Sequence, residues 1–150
     1  MRCSWQLASA NPTRGVALGY DQLSDSLITA IPFGLLVEDG FLFIWVINSK
    51  LRQALDMITA WGFTLADSID WVKQTVNRRL AKSHGFYLQH SKESLLVCVK
   101  GNPRRAVDVV LSDVILAERR GQSQKPTELY ELIEEFIPNG AYLEIFGTCA

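Results

Sequence analysis

Cysteine is sparse in this chain and widely scattered: Cys3, Cys98 and Cys149, with no CxxC pair and no histidine cluster beside them. Such spacing excludes a disulfide framework and a thiolate zinc site, and it suits a reducing compartment. Histidine is scarcer still. His84 and His90 have no metal-ligand spacing with any acid or cysteine, so a resident metal is not expected. Long hydrophobic runs are missing as well: the longest, residues 40–47 and 95–99, fall far short of the roughly 20 residues that cross a bilayer. The first residues lack the pattern of a signal peptide, and no internal repeat or low-complexity tract interrupts the chain. A soluble, intracellular protein with no membrane partner is expected.

What the chain does have is segregated charge. Residues 73–105 carry eight Lys/Arg (Lys73, Arg78, Arg79, Lys82, Lys92, Lys100, Arg104, Arg105) against one acid, Glu93. With 15 basic and 16 acidic residues overall, this loop region holds +7 and the remainder −8. Concentrated positive charge is what a polyanion-binding face requires, because phosphate neutralisation releases counterions. A solvated surface loop is the alternative. Phe86 and Tyr87, following Arg78, Arg79 and Lys82, add rings that can stack on bases.

A chain of 150 residues with 48% hydrophobic content is long enough for one domain with a core and too short for two. The run GFLFIWVI (40–47), entered from Glu38-Asp39-Gly40, predicts a buried strand. Asn48-Ser49 is a capping signal for a helix whose stripe is Leu51, Ala54, Leu55 and Ile58, with Gly62 as its stop. Further strands are expected at 64–72, 95–99, 114–117 and 141–146. Between the last two, Pro126 opens a helix with the stripe Leu129, Leu132, Ile133 and Phe136, ended by Pro138-Asn139-Gly140. Alternation of this kind implies an α/β fold with a mainly parallel sheet and ligands at the carboxyl ends of its strands. Residues 6–21 have no period and read as a long functional loop.

Several blocks carry a resemblance: Trp5, Tyr20 with Leu23-Ser24-Asp25, GFLFIWV, Trp61-Gly62, WVK at 71–73, His90 to Glu93, VKGNP, SDVILAE, QKPTELYELIE and LEIFG. In this order, over nearly the whole chain, they resemble the methyltransferase domain of the MT-A/METTL family. That family comprises the subunits of messenger-RNA adenine N(6)-methyltransferases and ciliate relatives that methylate adenine in DNA. The resemblance implies a Rossmann-like fold, S-adenosylmethionine as cofactor, adenine of RNA or DNA as substrate, a homologous subunit as heterodimer partner and a nuclear location. It also implies that the family domain extends past both ends, so that residues 1–150 form a single partial methyltransferase domain.

The family's Asp-Pro-Pro-Trp motif corresponds here to Arg2-Cys3-Ser4-Trp5. An adenine amino group is a poor nucleophile, its lone pair delocalised into the ring, and the motif's Asp and a following carbonyl accept its hydrogens. Arg2 offers donors where an acceptor is needed. Impaired catalysis is therefore expected, by an enzyme or by a silent subunit that binds nucleic acid beside an active homologue. By resemblance, Trp5 walls the base and Tyr20 lies near the adenine. Glu93 lies near the base pocket, a weak local ion pair with Lys92 or Arg104 being its alternative. Lys125 belongs to a gate over the cofactor, or is a solvated lysine before a helix. Glu144 and Ile145 line the cofactor from the last strand, or Glu144 is an exposed strand residue. Arg78, Arg79, Lys82 and His90 serve nucleic acid or the partner.

Overall fold

The computed structural model describes residues 23–83, 85, 87–105, 110–121 and 124–145. Trp5, Tyr20, the Arg2-Cys3-Ser4 segment and the loop 6–21 lie outside the described residues, as do His84 and Phe86. The described chain opens with two short helices, α1 (Asp25–Thr29) and α2 (Phe33–Leu36). Ser24 caps α1, its Oγ accepting the Leu27 N–H at 3.3 Å.

The alternation of apolar strands and amphipathic helices is present. Strand β1 (Gly40–Val46) leads through one 3-10 turn (Asn48–Lys50) into α3 (Leu51–Ala60). Strands β2 (Thr64–Gln74), β3 (Lys92–Lys100) and β4 (Val114–Glu118) follow, then α4 (Glu128–Phe136). The expected Asn48-Ser49 cap does not form; Lys50 holds the cap position without a side-chain bond, its Nζ drawn instead to Asp25 and to Gln53 Oε1 at 3.1 Å. The expected stripe of α3 is met at Ala54 and Ile58, with Leu55 packed against the same core, and differs at Leu51 and Met57. Ala54, Met57, Ile58 and the following Trp61 face the sheet, whereas Leu51 is exposed. Gly62, at φ +80°, stops the helix as expected.

The sheet order is β1-β3-β2-β4. β3 is antiparallel to both neighbours, and β2 and β4 are parallel. Three strands therefore point one way and β3 the other, so two of the three pairings correct the expectation of mainly parallel ones. The cause is the connection: antiparallel neighbours need no helical crossover, and residues 75–91 return through two successive bridges, Gln74 with Leu80 and Ser83 with His90. Among the described residues, only the connection from β1 to β2 contains a helix.

Each face of the sheet is covered. On one, Ile44, Val46, Leu96 and Cys98 pack under α3 with Phe33 and Trp61. On the other, Trp45, Ile69, Trp71, Leu95, Val97, Ile115 and Ala117 pack under Leu129, Leu132 and Ile133 of α4. Burial on both sides explains why strand runs such as Ile44-Trp45-Val46 are continuously apolar. Burial pushes the Cys98 thiol up to about 12, so it stays protonated and acts as a small apolar side chain. The fifth strand expected at 141–146 does not form among the described residues. The Tyr142 hydroxyl donates to the Ile137 carbonyl and folds this segment back onto the end of α4. Among the described residues, no helix is long and apolar enough to cross a membrane.

The turn after β3 depends on Gly101, at φ +65°, where an added Cβ would stand 1.8 Å from Asp39 Oδ1. That carboxylate accepts the Asn102 N–H at 2.8 Å. Gly101→Ala is expected to destabilise the fold by at least about 1–2 kcal/mol, since it adds left-handed strain to a displaced acceptor. Urea unfolding measures this, and an unchanged midpoint would contradict it.

Candidate functional site

Because β3 runs against its neighbours, its first residues lie at the carboxyl ends of β1, β2 and β4, the edge where α/β sheets collect ligands. Glu93 is the register partner of Trp71 there. Lys73, two residues beyond Trp71, shares its face by the alternation of a strand. Trp45 arrives from β1, and Lys125 from the segment leading into α4. These residues meet at one carboxylate: Lys73 Nζ donates to Glu93 Oε1 at 3.1 Å, and Lys125 Nζ donates to Glu93 Oε2. The side chains are 8%, 2% and 16% exposed for Lys73, Lys125 and Glu93.

Below this trio lie two indoles. Lys125 Nζ stands 4.8 Å from the Trp45 ring centroid and Lys73 Nζ 6.0 Å from that of Trp71. The rings meet edge to face at 6.1 Å. Trp71 is locked by its Nε1–H, which donates to the Ala117 carbonyl at 3.1 Å. The Trp45 Nε1–H is buried and has no acceptor among the described residues.

Burial alone would raise the Glu93 carboxyl, but Lys125 and then Lys73 outweigh it and hold the group below its ordinary value. For Lys125 burial dominates. Glu93 opposes it, Lys73 adds like-charge repulsion, and the ammonium sits below its ordinary value. Both directions follow from one arrangement: a carboxylate shared by two cations is favoured as an anion, and each cation has only half of it. The trio carries a net +1.

Glu93 and Lys125, taken separately from the sequence, are thus brought together. The local pair is not formed: Lys92 bonds Asp70 Oδ2 at 2.5 Å instead, because successive strand residues point to opposite faces. Nor is Lys125 solvated. Lys73 leaves the basic face it was counted in, and Lys100 donates to the Gly34 carbonyl at 2.5 Å. Glu144 is half-buried outside any strand, with Tyr130 of α4 donating to its Oε1 at 3.3 Å. Ile145 packs instead on the α3 side of the sheet.

Arg78, Arg79, Lys82 and His90 are exposed on the arm 75–91. Arg78 takes φ 54° in a turn closed by its N–H to the Thr75 carbonyl at 2.8 Å. His90 exchanges backbone bonds with Ser83 at 3.0 and 3.2 Å. Sequence reasoning missed Lys73, Trp45 and Trp71 as site residues, although the period-2 pattern of WVK already put Trp71 and Lys73 on one face. It also missed Arg119 and Arg120, which emerge beside the arm.

A family model described as MT-A70 matches residues 4–149. The chain belongs to the MT-A70 family. It is 37% identical over 132 residues to the Homo sapiens N(6)-adenosine-methyltransferase catalytic subunit METTL3, covering 87% of this chain and 23% of that protein. It is 36% identical to a Drosophila melanogaster N(6)-adenosine-methyltransferase MT-A70-like protein, over 87% of this chain and 22% of that one. The non-catalytic subunit METTL14 of the same fly is 30% identical over 123 residues, 72% of this chain and 30% of that protein. This MT-A70 chain therefore spans under a third of the length of these relatives.

Removing the shared carboxylate leaves two buried cations without a counter-charge. Glu93→Gln is expected to cost about 3–5 kcal/mol in urea unfolding, and adding Lys125→Met to recover part of it. Equal losses in the two variants would contradict the shared-carboxylate account. A lowered carboxyl stabilises above its unfolded value, 4.5, and loses that contribution as pH falls through its folded value. The gap between wild type and Glu93→Gln is therefore expected to be full above pH 4.5 and to close in acid.

Proposed function

We propose that this MT-A70 domain handles the adenine of RNA or DNA together with S-adenosylmethionine, with methyl transfer impaired by its first residues. The observation that carries this reading is the convergence of Glu93, Lys125 and Lys73 over Trp45 at the carboxyl ends of the strands. The residues present suit the donor. The trio's net +1 complements a carboxylate, and the buried Trp45 Nε1–H beneath it has no acceptor among the described residues. Lys125 would face the donor's carboxylate and Glu144 its ribose, whereas Ile145, packed on the α3 side of the sheet, does not share that face. The bound cofactor supplies a methyl group on a positively charged sulfur.

The chain's own task is to make the adenine nitrogen reactive by accepting its hydrogens. Trp5 and Tyr20 are taken to wall the base, with Glu93 near it. At the position of the family's carboxylate this chain has Arg2, which cannot accept a hydrogen bond and brings another cation towards a positive sulfur.

A second reading, a silent subunit working in the nucleus beside an active homologue, is favoured by the arm. Val76 is 80% and Leu88 75% exposed there, interleaved with Arg78, Arg79 and Lys82. Apolar residues rimmed by cations suit a partner subunit that shares a nucleic acid.

With isotopically labelled methyl donor and adenine oligonucleotides, the chain alone is expected to transfer nothing measurable; turnover abolished by Trp5→Ala would overturn the impairment. Arg78→Ala with Arg79→Ala is expected to weaken oligonucleotide binding and flatten its salt dependence. An unchanged salt slope would reduce the arm to solvated surface.

A further inference from the structure

The β2–β4 pairing continues one residue past the end of β4, where the Arg119 N–H donates to the Gln74 carbonyl at 3.0 Å. That bond fixes where the chain leaves the sheet. Arg119 and Arg120 emerge beside the root of the arm, and an open cleft of about 410 Å³ lies between the two segments. Gln74 and Thr75 line it from β2 and the turn after it, Lys82 from the arm, and Arg119 and Arg120 from the β4 side. No carboxylate lines it. None of its three cations has an ion pair or a side-chain hydrogen bond among the described residues, whereas Lys50, Lys73, Lys92 and Lys125 are all paired.

We infer that this cleft seats a backbone phosphate of a single-stranded nucleic acid, gripped by Arg119 and Arg120 with Lys82 opposite. The inference rests on the nucleic-acid reading above and adds a second chain segment to it. Charge and geometry both favour this occupant. Three uncompensated cations around an open trough suit a polyanion that passes through rather than a small anion that is enclosed. Guanidinium forks match phosphate oxygens in pairs. The Thr75 hydroxyl, which accepts the Arg79 N–H at 3.3 Å, keeps its own hydrogen to donate. Thr75 lies two residues beyond Lys73, about 7 Å along the strand. A phosphate in the cleft is therefore next to the Glu93 site, where its own nucleotide or the adjoining one would place a base.

The test uses the whole chain, a fluorescein-labelled single-stranded adenine oligonucleotide, and anisotropy titrations over a range of salt concentrations. Arg119→Gln with Arg120→Gln is expected to weaken binding and to make the log–log salt slope shallower by about 0.7 for each phosphate no longer neutralised. Both side chains are exposed, and an unchanged thermal midpoint verifies that the variant is folded. Arg119→Lys with Arg120→Lys, which keeps the charge and removes the forks, is expected to keep the slope and bind more weakly. Wild-type affinity and slope in the Gln variant would overturn the cleft while leaving the nucleic-acid reading intact. Failure of the wild-type chain to bind the oligonucleotide would overturn both.

Discussion

A single carboxylate held between two ammonium groups organises the working edge of this domain, and the direction of one strand makes it possible. Were β3 parallel to its neighbours, Glu93 would open at the opposite edge of the sheet, away from Lys73 and from the segment entering α4. Inversion of β3 puts Glu93 beside Trp71 in register and within reach of both lysines. Burying three charges costs several kcal/mol per ion unless their hydrogen-bonding capacity is used. Here both carboxylate oxygens are engaged, and the two cations lie over indole faces, which offset part of the remaining cost. The arrangement links β1, β2, β3 and α4 through one polar point, so the site and the packing of that face stand or fall together.

Much of the frame was legible from local pattern. The apolar run of β1, the Gly62 stop and the stripe of α4 follow from residue spacing and turn chemistry, which act within a few residues. Strand direction was not legible, since an apolar run buried on both faces reads the same either way and the connection decides it. That connection is an irregular arm whose turn needs Arg78 in a left-handed conformation, for which its sequence gives little signal. The exchange of Leu51 for Met57 on the buried face of α3 had a simple cause: both fit apolar stripes about equally well, and only the sheet beneath chooses.

The candidate site was legible as separate residues and not as a contact. Resemblance pointed to Glu93 and Lys125, but 32 positions separate them and no spacing rule joins them. Lys73 was read as surface because charge counting ignores which way a strand residue faces, although a two-residue step from Trp71 already puts both on one side of β2. The last segment failed as a strand for a related reason. Tyr142 could have alternated outward from a ladder, yet its hydroxyl finds the Ile137 carbonyl at the end of α4 first.

The two kinds of cation in the chain divide their work by side-chain physics. Among the described residues every ion pair uses lysine, at positions 50, 73, 92 and 125, and none uses arginine. A flexible stem with a compact head can bend to a carboxylate already fixed by a strand, and its loss of solvation is met by that one partner. Arginine, with a planar fork and weaker hydration, stands exposed at 78, 79, 104, 105, 119 and 120. The positive charge that forms one block in the sequence is thus two populations: Lys73, Lys92 and Lys100 bonded within the fold, and Lys82 with the arginines exposed and without an ion pair among the described residues. Only the second can release counterions to a polyanion. The electrostatic surface is therefore smaller than the charge along 73–105 implies, and it extends to the β4 side, which lies beyond that block.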